Sequence, residues 1–145
     1  MIKRTIFTLL LIFAFIAKSL ASGHELSVGQ IKPGMTIGDM KALIGEANSD
    51  IQQDDFITHI FKYDELDIGF SDAYIQWIYS KNKEYCTEQG LCPGDSISKM
   101  ESIYTHAKQT EDSVYEFHNI SYSLCWYRIH SSESVIAAVE IKCAP

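Results

Sequence analysis

The chain has 145 residues, with 12 Lys and Arg against 19 Asp and Glu, a formal charge of −7 and a pI near 5.1. That length supports one compact domain or two very small ones sharing a core. The charge leaves no basic face to gather phosphate contacts, which argues against a nucleic-acid partner, and 46% hydrophobic with 12% aromatic residues argues against disorder.

Residues 1–21 read as a secretory signal peptide. Lys3 and Arg4 precede an apolar run from Ile6 to Ala17, and Ser19-Leu20-Ala21 places small residues at a signal-peptidase site. The run is too short for a spanning helix, which needs about 20 apolar residues, and no lipidation Cys follows it. The expectation is a periplasmic or secreted protein with no stable membrane insertion after cleavage. Losing Lys3, Arg4 and Lys18 and no acid takes the formal charge from −7 to −10. A mature terminus of Ser22-Gly23-His24 would also present the donor set for square-planar Cu or Ni: a free amine, two amide nitrogens and the His24 imidazole. No cofactor is expected.

A repeat at an offset of sixty organises the rest. Ile31-Lys32-Pro33-Gly34-Met35-Thr36-Ile37 lies over Leu91-Cys92-Pro93-Gly94-Asp95-Ser96-Ile97, with Met40 over Met100, Leu43 over Ile103 and Ala47 over Ala107. Thr36 and Ser96 supply N-cap hydroxyls, and Asp39 stands at the capping-box position. Ile37, Met40, Leu43 and Ile44 recur at helical spacing; Gly45 can end the first helix in a left-handed conformation, and Thr105 cannot do so cheaply in the second. Three alternating, aromatic-rich segments follow each helix: Phe56 to Tyr63, Leu66 to Ser71 and Tyr74 to Ser80, then Ser113 to His118, Ser121 to Ile129 and Val135 to Cys143. The predicted class is therefore α+β, with two tandem copies of a short helix (or helix pair) plus a three-stranded antiparallel meander packed as one domain. The divisions are residues 22–85 and 86–145.

Four cysteines in an exported chain read as two disulfides, with three connectivities possible. The favoured pairing is Cys86–Cys92, closing the loop before the second helix, and Cys125–Cys143, tying the last two strands. A turn centred near Ser132 would set Cys125 opposite Glu140, so the second bridge calls for a bulge or a shifted register.

The run Pro-Gly-Met-Thr-x-x-x-Met-x-x-Leu-Ile-Gly-Glu-Ala, with an aromatic-x-aromatic strand after it, resembles the unit shared by the SmpA/OmlA small outer-membrane assembly proteins and the β-lactamase-inhibitory-protein-like superfamily. The resemblance spans nearly all of residues 28–143. Two tandem copies with disulfides are more similar to the inhibitors, and imply helices on one face of an antiparallel sheet whose other face grips an enzyme.

No nucleophile elbow, zinc helix, phosphate loop or calcium loop occurs, so no enzyme is expected. What remains is surface. Tyr74, Trp77, Tyr79, Trp126 and Tyr127 cannot all point into one small core on alternating strands, and some are expected to form a binding hot spot. If Leu124 and Phe70 face inward, Trp126 and Tyr122 are core and Tyr127 is outward; by parity Ile75, Trp77 and Tyr79 share a face. The functional expectation is a secreted periplasmic binding protein, an inhibitor or immunity protein for a basic exported enzyme such as a cell-wall-active toxin. The alternative is an envelope or outer-membrane assembly or scaffold component.

Overall fold

The structure is a computed structural model that describes residues 25–119 and 124–145. The predicted signal, the Ser22-Gly23-His24 motif and Tyr122 lie outside the described residues. Among the described residues no helix is long and apolar enough to cross a membrane, and no group of three His, Cys, Asp or Glu could hold a metal ion.

Two short helices, α1 (Ile37–Ile44) and α2 (Ile97–Ile103), accompany eight strands: β1 (Ser49–Gln52), β2 (His59–Tyr63), β3 (Leu66–Ser71), β4 (Tyr74–Ser80), β5 (Lys108–Glu111), β6 (Val114–Phe117), β7 (Cys125–Ser132) and β8 (Val135–Cys143). All eight form one antiparallel sheet in the order β1-β2-β3-β4-β8-β7-β6-β5. This overturns the predicted class. Among the described residues four strands, not three, follow each helix, and at 44% strand to 13% helix they form mainly a sheet, not a pair of helix-plus-meander α+β units. The unpredicted strands, β1 and β5, are exposed along their whole length and show no apolar alternation.

The helices start where their caps dictate. The Thr36 hydroxyl accepts from Asp39 N while an Asp39 carboxylate oxygen accepts from Thr36 N, a complete capping box; the bonds that the Thr36 hydroxyl and then Thr36 N donate to that carboxylate hold it below its usual range. Ser96 accepts from Lys99 N without the reciprocal bond. Gly45 ends α1 at φ 83°, whereas α2 ends at Tyr104 with φ −110°. Each Pro-Gly turn is pinned to the last strand of its own half: Gly34 N donates to Ile75 O and Gly94 N to Ile136 O, with return bonds from Ile75 N to Met35 O and Ile136 N to Asp95 O.

The core lies on one face of the sheet. Met40 and Met100, one from each helix, pack with Phe61, Ile68, Phe70, Ile78, Ile129 and Ile141, and the N-terminal segment adds Leu26, Val28 and Ile31. Disulfides join Cys86 to Cys92 and Cys125 to Cys143. The second spans directly opposed residues, because the hairpin turns at Glu133-Ser134, both at positive φ, and a bulge follows between His130 and Ser131. Those two features move the register from the one a turn at Ser132 would give.

Candidate functional site

The face opposite the helices carries a row of charged and polar residues in register. Lys62, Asp67, Tyr79, Glu140, Arg128 and Glu116 stand opposite one another across six successive strands. Opposed residues on paired strands share a face and touch, so this row is a chain of neighbours. Lys62 Nζ lies 2.9 Å from Asp67. Arg128 lies 3.4 Å from Glu140, 3.2 Å from Glu116 and 3.1 Å from Glu111.

Glu140 is the hub. It is only 5% exposed, and its carboxylate accepts from Trp77 Nε1 at 2.7 Å and from His130 Nε2 at 2.6 Å. Burial pushes this carboxyl up, but the hydrogen bonds from His130 and Trp77 and the charges of Arg128 and His130 outweigh it and hold the group below the ordinary glutamate range. Glu140 is therefore an ionised anchor that fixes an indole, an imidazole and a guanidinium around itself.

A second row runs beside the first, with Ile60, Gly69, Trp77, Lys142 and Trp126 in register. The Trp77 indole reaches over Gly69, where an added Cβ would lie 3.1 Å from Trp77 Cβ and Cε3 and 2.9 Å from Ile57 Cγ2. Glycine at 69 thus makes the seat of the tryptophan. Trp77 stacks on Tyr79 at 6.0 Å, Tyr79 meets the His130 ring edge-on at 5.5 Å, and Trp126 stacks on His118 at 5.1 Å. Trp126 Nε1 is buried without an acceptor among the described residues.

The five aromatic residues singled out in the sequence separate. Trp77, Tyr79 and Trp126 lie together on this face, each partly buried. Tyr74, 52% exposed at the start of β4, joins none of their ring contacts. Tyr127 is core: it is fully buried, its hydroxyl donates to Ser27 O at 2.8 Å, and it packs on Tyr104. The inward register assumed for Leu124 is thereby reversed, since Leu124 is 63% exposed and Trp126 faces away from the core. Ile75 also parts from Trp77 and Tyr79, because a bulge shifts the β3–β4 register at Gly69/Phe70 and leaves Ile75 in the core. Sequence reasoning missed Arg128, His130, Glu140 and Lys142. Their signal was the strict alternation Trp126-x-Arg128-x-His130 and Glu140-x-Lys142, which marks one face of each strand once the parity is right.

No family model and no curated protein matches the chain. A solved structure, a DUF4309 family protein (YjgB) from Bacillus subtilis, is similar to it at 14% identity over 75% of this chain and 78% of that one, with a TM-score of 0.43. At that level the likeness carries no argument about function.

Proposed function

We propose that this is an exported binding protein that blocks a basic extracytoplasmic enzyme, as an inhibitor or immunity protein does, by laying the open face of its sheet on the target. The observation that carries this reading is the interlocked set of Trp77, Tyr79, His130, Arg128 and Glu140 on the side of the sheet away from the helices. Aromatic side chains locked before binding lose little entropy on contact, and they concentrate binding energy near the middle of an interface. The formal charge of −10 after loss of residues 1–21 would steer a basic partner toward this surface. Enzymes that act on anionic envelope polymers are the target class with that charge.

The test is affinity capture from periplasm with the oxidised mature protein and with a Trp77→Ala variant, followed by assay of the captured enzyme. The expected result is one stoichiometric soluble enzyme, inhibited by the native protein and released by the variant, with association that slows as salt rises. Capture of a β-barrel assembly complex in place of an enzyme would refute inhibition and favour the scaffold alternative.

A further inference from the structure

On the open face, near the end of β8 and between two tryptophan-bearing strands, stands a cation that its described neighbours leave without a counter-ion. Lys142 is exposed on β8, directly opposite Trp77 on one side and Trp126 on the other. The carboxylate best placed to neutralise it is Glu140, two residues back on the same face of the same strand. Glu140 is already committed, one oxygen to Trp77 and the other to His130 and Arg128. The remaining acids of the row are committed as well, Asp67 to Lys62 and Glu116 to Arg128, and Glu111 on the edge strand also pairs with Arg128. Lys142 makes no ion pair among the described residues.

We propose that Lys142, between the two indoles, is the docking point for an acidic side chain of the protein bound by this face; the proposal rests on the reading of that face as a protein-binding surface. A lysine stem lies well along apolar rings while its ammonium stays free. A carboxylate brought down between two tryptophans is shielded from water, and the attraction strengthens as the local dielectric falls. The chain's overall charge selects the kind of anion. A polyphosphate or an acidic polymer would be repelled by the net −10, whereas a single carboxylate set in a basic surface satisfies the long-range field and the local site together. In a wall-active hydrolase, that acid would be one of the paired carboxylates with which such enzymes work.

The experiment uses the full mature chain with both disulfides formed and follows the two indole N–H resonances by NMR. The probe is N-acetylglutamate methylamide, with the glutamine analogue, N-acetylmuramic acid and inorganic phosphate as comparison arms. Expected are saturable shifts of both indoles with the glutamate probe, at a dissociation constant on the order of millimolar, and none with the glutamine analogue. Lys142→Gln should weaken the response at least tenfold, Lys142→Arg should retain it, and Lys108→Gln, at the sheet edge, should leave it unchanged. A response that does not saturate, that survives Lys142→Gln, that is equally lost in Lys108→Gln, or that is stronger for muramic acid or phosphate would overturn the proposal. The titration needs no partner enzyme, so its failure and a failure of the inhibitor reading are separate outcomes.

Discussion

Replacing Glu140 by Gln removes one charge and almost no volume from the hub of the open face. In the native protein the carboxylate serves Trp77, His130 and Arg128 together, at 2.7, 2.6 and 3.4 Å. A glutamine still offers one oxygen, but its amide turns a donor toward whichever of the other two remains, so one buried bond to a charged group is lost at about 1.5–3 kcal/mol. Arg128 keeps Glu111 and Glu116. The full cost of orphaning a buried charge, about 3–5 kcal/mol, therefore does not apply. The expected loss is about 2–3 kcal/mol at neutral pH, read as a fall of about 1–1.5 M in the urea midpoint for a slope near ~2 kcal/mol/M. The pH dependence adds a second readout. Because the folded state holds the Glu140 carboxyl below its ordinary value, its stabilisation is complete above the ordinary glutamate range and is lost as pH falls through the lower folded-state value. The native protein should lose this increment on acidification and Glu140→Gln should not, so the gap between them narrows as pH falls. A loss under about 0.5 kcal/mol at neutral pH, or a gap that widens in acid, would refute the assignment of Glu140 as an ionised hub.

Gly69→Ala places a methyl 3.1 Å from Trp77 Cβ and 2.9 Å from Ile57 Cγ2, and is expected to cost about 1–3 kcal/mol and to shift tryptophan emission; an unchanged spectrum would show that the indole is not seated on Gly69. Thr36→Ala should cost about 1 kcal/mol and Ser96→Ala less, since only the first helix has the reciprocal bond of a capping box, and urea titration of both variants checks the order. Replacing Cys125 and Cys143 by serine opens a link of 18 residues and is expected to cost about 3 kcal/mol, against about 2 kcal/mol for the link of 6 residues between Cys86 and Cys92. Equal midpoint losses in the two double variants would count against the loop-entropy account.

Local chemistry was legible where one residue type decides a conformation. Thr36 and Ser96 start helices, Gly45 ends one, and β3 and β4 run over the residues whose alternation marks them. The strands that escaped, β1 and β5, lie at the sheet rim with both faces in water, so nothing in Ser49–Gln52 or Lys108–Glu111 needs to be apolar. The open face was misassigned at two places, for different reasons. One is the bulge between β3 and β4, which breaks the alternation between Ile75 and Trp77. The other is Tyr127, where β7 alternates regularly but Leu124, just before the strand and 63% exposed, is a false guide to its inward side; the partner that satisfies the buried Tyr127 hydroxyl, Ser27 O, is 100 residues away in the chain. A buried tyrosine hydroxyl usually has a polar partner, and no nearby sequence reveals this one.

The strand order explains why the aromatic surface falls where it does. Each half ends in its longest strand, β4 or β8, and either would be a long unpaired edge on its own. Pairing β4 with β8 turns both edges into the centre of the sheet and moves the rims to β1 and β5, which are four residues long and carry Asp50, Lys108 and Glu111. Short, charged strands resist further pairing, so the rim is protected against edge-to-edge association. At the centre, Trp77 of one half bonds to Glu140 of the other, 63 residues on, and Tyr79 of β4 meets His130 of β7 across β8. This aromatic face is thus assembled only when both halves are joined. Its tryptophans are held by strands paired on both sides, the position in a sheet least able to fray.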